Sequence, residues 1–341
     1  LFGGNDLGNG GVQATVDVFR GTDPQAASPF LNIPSRQQTF DSAPGYVGTS
    51  YLVIRELGAD AASAIGAYLG NSTTIKNWSF EVERFPEEFS GQSSGDNIIN
   101  SVDANPINVI YELITKEQGF PSSDIDLVNF KAASDTIIAE GNGFSMLVES
   151  QVTVAELLEE VERQIDGVVT LDRSTGKWII KLARADYDIN TVPQVTDSNS
   201  SLEEFTRGSW SDTTNQITVR FSKRSDEYKT SFAVAQDLGN ALLQGGGTVA
   251  TLEPVSGELS FPGVKDPTLA ANIAWRELRG VAYPLAQCTL KVSREFWNVS
   301  RGDVVALTNT KLGLDKLPMR VTSVDLGQVQ ANSITLNAVQ D

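Results

Sequence analysis

NPINVIYELITKEQG, residues 105–119, opens the stretch that decides how this chain is read. Asn105 followed by Pro106 is a helix start, because proline lacks an N–H that the first turn would leave unpaired. Ile107, Ile110, Leu113 and Ile114 then recur at helical spacing, and Gly119 stands where a left-handed residue ends such a run. A second helix is expected over 127–140, with Leu127, Phe130, Ile137 and Ile138 apolar and Gly141 behind it. A short strand is expected over 144–149. Thr153-Val154-Ala155-Glu156 is a capping box, in which hydroxyl and carboxylate reciprocally satisfy free backbone donors. Val154, Leu157, Leu158, Val161 and Ile165 form one apolar stripe behind it. Two strands, 168–171 and 178–182, flank a turn with Gly176 at its positive-φ position. The order helix, helix, strand, helix, hairpin describes a small α/β unit whose apolar stripes need another layer over them.

Outward from this unit the chain reads as β. Residues 12–20 alternate, with Val12, Ala14, Val16 and Val18 on one face. Residues 21–45 read as a long loop, 46–57 as a strand, and 60–69 as a short helix or turn. Residues 76–85 read as a third strand, with Trp78, Phe80 and Val82 inward and Glu81 and Glu83 outward. Polar connections are expected over 86–104 and 186–201. Beyond them, 216–221 and 228–234 should pair across Ser225-Asp226. A mobile loop or short helix is expected over 236–249. Asp266-Pro267 should cap a helix presenting Leu269, Ile273, Ala274, Leu278 and Val281 on one face. Residues 285–294 form the most regular alternation, Arg301-Gly302-Asp303 a turn, and 304–307, 319–326 and 333–339 the last strands. The fold class expected is α+β, mainly β.

Composition narrows the chemistry. The chain has 341 residues, 26 Lys and Arg against 43 Asp and Glu, a net charge of −17 and no histidine. Without histidine there is no Ser-His-Asp or Cys-His arrangement and no His-liganded zinc. One cysteine, Cys288, excludes an internal disulfide and reads as a small core residue. No basic stripe is visible, so stable binding of nucleic acid is not expected. The acidity suits solubility, or a negative wall along which DNA passes without sticking. No apolar run reaches the roughly 20 residues of a membrane span. Leu1–Asp6 offers neither a basic region nor an apolar core and lacks a Met, so a longer parent chain is expected. No catalytic, cofactor or metal residue is assigned. The carboxylate pair with the best case for chemistry is Glu81 and Glu83, two apart on a strand and about 7 Å from one another. A glycosidase needs such a pair around a cleft. Outward acids on an antiparallel sheet more commonly meet solvent or a partner.

The phrases NPINVIYELIT, DLVNFKAASD, VAELLEEVERQIDGVVTLDRSTGKWIIKL and SRGDVVAL stand in order between 105 and 307. In that order they resemble the phage tail protein family that includes the central hub of long-tailed phages and gene transfer agents and the lambda-type tip attachment protein. The resemblance implies two tube-like antiparallel β domains flanking a small α/β insertion. The domains would be 1–104, 105–185 and 186–341, the last with a helix over 267–280. It implies a structural, non-enzymatic homotrimer at the distal end of the virion tail, assembled in the host cytoplasm. Its partners would be a distal tail or tube ring protein, the tape measure protein and receptor-binding or fibre proteins. DNA would pass transiently. Glu81 and Glu83 become candidates for the channel wall or a subunit interface. The readings left beside it are a tail-borne, carboxylate-dependent cell-wall glycosidase and a carbohydrate-binding β protein.

Overall fold

The computed structural model describes residues 15–29, 44–55, 82–148, 150–245, 255–328, 330 and 332–341. The chain divides into two units between Val82 and Glu83. In the first, β1 (Thr15–Arg20) pairs antiparallel with β2 (Ser50–Arg55). Phe19 stacks on Tyr51 with ring centroids 4.5 Å apart. Val18, expected on a half-buried face, is 62% exposed. The loop after β1 is gathered by Gln25, whose amide donates to the carbonyls of Gly45 and Tyr46.

The second unit starts with two short strands, β3 (Ile98–Ile99) and β4 (Asp103–Ala104), which pair with each other. Helix α1 (Pro106–Glu112) follows, capped by the Asn105 side chain on the Ile107 N–H and continued by a wider π-helical turn over Leu113–Glu117. Helix α2 (Leu127–Glu140) is capped by Asp126 and ends at Gly141, φ +64°. Helix α3 (Val154–Ile165) carries the full capping box of Thr153 and Glu156. Strands β5 (Gly167–Leu171) and β6 (Trp178–Leu182) form the hairpin, with Gly176 at φ +72°. Ile107, Ile110, Phe130, Ile137, Val161 and Ile165 meet in one buried core.

Two sheets make up the rest. The strands are β7 (Gln194–Val195), β8 (Ser200–Arg207), β9 (Gln216–Lys223), β10 (Lys229–Gln236), then helix α4 (Leu238–Gly245), β11 (Ser256–Ser260), helix α5 (Pro267–Val281), β12 (Ala286–Ser293), β13 (Val304–Asn309), β14 (Leu314–Asp325) and β15 (Ser333–Gln340). The smaller sheet runs β10-β9-β11, with β10 antiparallel and β11 parallel to β9. Helix α5 covers one face of it, burying Leu269, Ile273 and Leu278 against Ile217, Val219 and Phe221. The larger sheet runs β7-β13-β14-β15-β12-β8. Its core draws Val195, Leu290, Val305, Met319, Val321 and Ile334 from its own strands, so the sheet curls over itself. Register shifts at Thr289/Leu290, Leu307/Asn309 and Val321/Ser323 supply the bending. The fold is α+β, mainly β.

Several expectations change. Residues 144–148 are not a strand: Phe144 makes a single bridge with Ala104. The next residue turns away because its N–H donates to Gly263 and its hydroxyl to Asp103. Residues 86–104 are more than a polar connection, since Phe89 and Ile99 are buried in the module core. The connection over 186–201 contains β7, whose Val195 is fully buried beside β13, and the start of β8. Val281 is exposed at the end of α5, because the helix face ends at Leu278. Residues 82–85 carry no strand. The expected elements over 60–69, 246–249 and 76–81 lie outside the described residues.

Candidate functional site

The side chains that most define this molecule are cations lying between the α/β module and the two sheets. Arg224, in the turn after β9, donates to Asp103 and reaches the Val102 carbonyl at 3.3 Å. Asp103 is almost fully buried and also accepts from Ser145 at 2.7 Å. The bond to Asp103 raises the pKa of the Arg224 guanidinium. Lys265 lies close by and donates to the Pro262 carbonyl; burial, and then the charge of Arg224, lower its pKa. From α5, Arg276 reaches back to the carbonyls of Gln164 and Arg163 at 2.6 and 3.1 Å. Those carbonyls end α3, where helix geometry leaves acceptors unpaired and negative. Arg163 lies 4.1 Å over the Phe261 ring.

The larger sheet is held in the same way. Lys181 on β6 donates to Asp303 and Ser300, both at 2.6 Å. Gly302, at φ +89°, turns the chain tightly beneath it. Arg173, in the hairpin turn, donates to the carbonyls of Trp297 and Val299 at 3.0 and 2.8 Å. Arg320 on β14 bridges Asp341 and the carbonyls of Gly302 and Arg184. Most of these cations are paired with a carboxylate of their own, so the net charge of −17 is carried by the acids that remain.

The two acids singled out in sequence fare differently. Glu83 is exposed on a stretch with no regular structure. Glu81 lies outside the described residues, so the geometry of the pair stays an expectation. A groove of about 210 Å³ crosses the outer face of the larger sheet, lined by Glu204, Thr206, Gln287, Thr289, Thr322 and Asn337. It offers hydroxyls, amides and a single carboxylate, which can hold a polar surface but cannot divide acid and base roles between two carboxyls. Among the described residues no group of three or more His, Cys, Asp or Glu is placed to hold a metal ion. Cys288 is buried in the larger sheet, and burial pushes its thiol up to about 11. No helix among the described residues is long and apolar enough to cross a membrane.

Sequence reasoning missed the cationic set. Arg173, Lys181, Arg224 and Arg276 contact groups more than a hundred residues away, so no local spacing announces them.

The family model described as "Putative phage tail protein" matches residues 153–324, just over half of the chain. The match runs from the cap of α3 through the hairpin and both sheets into β14. No curated protein matches. Among solved structures, a chain of the "Virion of native gene transfer agent (GTA) particle" is similar over 96% of this chain and 71% of that one, at 15% identity and TM-score 0.59. Two further chains match less closely. The 43 kDa tail protein of prophage MuSo2 from Shewanella oneidensis is 17% identical, over 57% of this chain and 56% of its own, with TM-score 0.35. The tail protein from Neisseria meningitidis MC58 is 12% identical, over 62% and 66%, with TM-score 0.39.

Proposed function

The chain belongs to the Putative phage tail protein family, and from that premise we propose that it is a trimeric hub at the tip of a phage or phage-like tail. In this reading three copies surround the axis and close or line the end of the tail tube. They connect the tube to receptor-binding parts, and the structure opens for genome delivery. The domains proposed are a first β region through residue 104, whose last stretch packs Phe89 and Ile99 into the module core, the α/β insertion over 105–185 and a second β region over 186–341. Neighbours are the distal tube ring, the tape measure protein and receptor-binding or fibre proteins. The protein does its work by geometry, without a catalytic step.

The observation that carries this reading is the likeness in fold, over 96% of the chain, to a component of a gene transfer agent virion. The cationic fastening supports it, because a part that transmits load needs its domains fixed to one another. The net charge of −17 fits a wall that DNA slides past, since phosphates find no basic stripe to hold them. Native mass spectrometry with electron microscopy of the purified full chain tests the reading. A threefold ring is the expected result, and a monomer at every concentration would overturn it.

A further inference from the structure

We propose that Asn142-Gly143, directly after α2, is a site of self-modification that stays silent while the module is closed and reacts when it opens. Asn followed by Gly is the pair in which side-chain deamidation is easiest, because glycine puts no side chain in the way of its own nitrogen. The reaction needs only water. The Gly143 nitrogen gives up its proton and attacks Cγ of Asn142. The side-chain amide nitrogen leaves as ammonia, and a five-membered succinimide closes. Water then splits the ring at either of its carbonyls. One product is aspartate on the original backbone. The other is isoaspartate, whose backbone runs through the side chain and is longer by one methylene.

The closed fold holds both reacting groups. Asn142 is buried. Its N–H donates to the Ile137 carbonyl, and the Gly143 N–H donates to the Gly141 carbonyl. Gln164, fully buried on α3, donates from one Nε2 to Oδ1 of Asn142 at 3.1 Å and to the Gly143 carbonyl at 2.8 Å. The side chain and the backbone one residue on are thus pinned to the same atom, and Cγ cannot swing toward the Gly143 nitrogen while those bonds stand. Beyond Gly143 the chain is pinned again. Phe144 exchanges both backbone hydrogen bonds with Ala104, and the Ser145 N–H donates to the Gly263 carbonyl. Packing also explains why a glycine stands there. A Cβ at position 143 would lie 2.3 Å from the Cβ of Asp103, which is buried and held by Arg224. The close approach that fastens the junction therefore carries the reactive pair with it. Isoaspartate would lengthen the chain between the Asn142–Ile137 bond and the Phe144–Ala104 bridge, so a modified chain could not close in its old register. Opening then becomes irreversible, a kinetic limit on how long the closed part lasts.

The test incubates the full chain in buffer and in unfolding urea, at one pH and temperature. Peptide mapping by mass spectrometry reads the gain of one mass unit at residue 142 and separates aspartate from isoaspartate. Asn9-Gly10, the chain's other Asn-Gly pair, serves as the reference in urea. In urea Asn142 should keep pace with Asn9, and in buffer it should react at least about tenfold more slowly than in urea. Equal rates for Asn142 in buffer and urea would overturn the gate without any variant being made. Arg224→Met loosens the Asp103 anchor and leaves the reactive pair intact, so it should raise the rate in buffer at least about threefold. A rate unchanged from the parent would take Asp103 out of the gate. Chains modified in urea are then returned to buffer, and folded and unfolded fractions are parted by size-exclusion chromatography. Isoaspartate at 142 should collect in the unfolded fraction. An equal share in the folded fraction would refute the block on closing.

Discussion

Gly263 lies where the α/β module and the chain after β11 come closest. A Cβ built there would stand 2.4 Å from the Phe144 ring and 2.5 Å from the Gln164 side-chain oxygen. Both neighbours are buried, so neither can swing aside. Gly263→Ala should therefore cost about 1–3 kcal/mol by overpacking, read as a lower midpoint in denaturant titration. An unchanged midpoint would mean that the junction relaxes freely. Arg224 poses the electrostatic version of the same question. Arg224→Met leaves the Asp103 carboxylate buried with the Ser145 hydroxyl and, as nearby cation, only Lys265, which does not hydrogen-bond it. Breaking one side of a buried pair costs about 3–5 kcal/mol. A guanidinium that keeps some water should give less, about 2–4 kcal/mol. Asp103→Asn in the same chain should restore part of that loss, because a neutral amide is cheaper to bury. A double variant no more stable than Arg224→Met would show that the charge itself is not the cause.

Elements differ in how openly the sequence announces them. Helices α1, α3 and α5 were legible because each carries its own start signal, and the caps Asn105, Thr153 and Asp266 hold first-turn N–H groups; α2 was legible from apolar spacing and Gly141, its Asp126 cap being found in the structure. β12 was legible from strict alternation. β7 and β11 were not: two residues, or five with a central-strand partner from elsewhere, give too short a pattern. Residues 144–148 read as a strand on composition, yet Asp103 and Gly263 claim their backbone and side-chain partners first. Arg173, Lys181, Arg224 and Arg276 of the candidate site were invisible for the same reason, since each reaches its acceptor only through tertiary folding. The β5–β6 hairpin lies at the legible end and permits a pH prediction. Asp172 accepts from the hydroxyls of Thr175 and Ser174 and the Ser174 N–H, which hold its pKa at about 2. A carboxylate depressed on folding adds stability above its ordinary range near 4, and that stability is lost as pH falls toward about 2. Trp178, at the start of β6, reports the loss by fluorescence. Asp172→Ala should remove the part of the acid transition that falls in that window; an identical titration for parent and variant would refute the assignment.

At the scale of the whole molecule, the second unit, 83–341, contains three separate apolar cores, one in the module and one under each sheet. Separate cores ordinarily permit separate unfolding. Here Arg276, Arg224 and Arg163 tie the module to the smaller sheet, and Lys181 and Arg173 tie it to the larger one. Each tie ends on a carbonyl or carboxylate that would otherwise need a different partner, so opening one core exposes acceptors in another. The unit should therefore open as one body. In native-state hydrogen exchange, amides of β6 and β12 should share one opening free energy to within about 1 kcal/mol. Replacing Arg173 and Lys181 by Ala removes both ties to the larger sheet, and replacing Arg276 removes one of the three to the smaller, without touching any core. Amides of β6 should then exchange at least about tenfold faster than those of β12, the signature of a module opening by itself. If β6 already exchanges faster in the parent, the arginines and the lysine decorate the junction without coupling it. In that event a tail part built this way could not pass a push on one sheet through the module to the other.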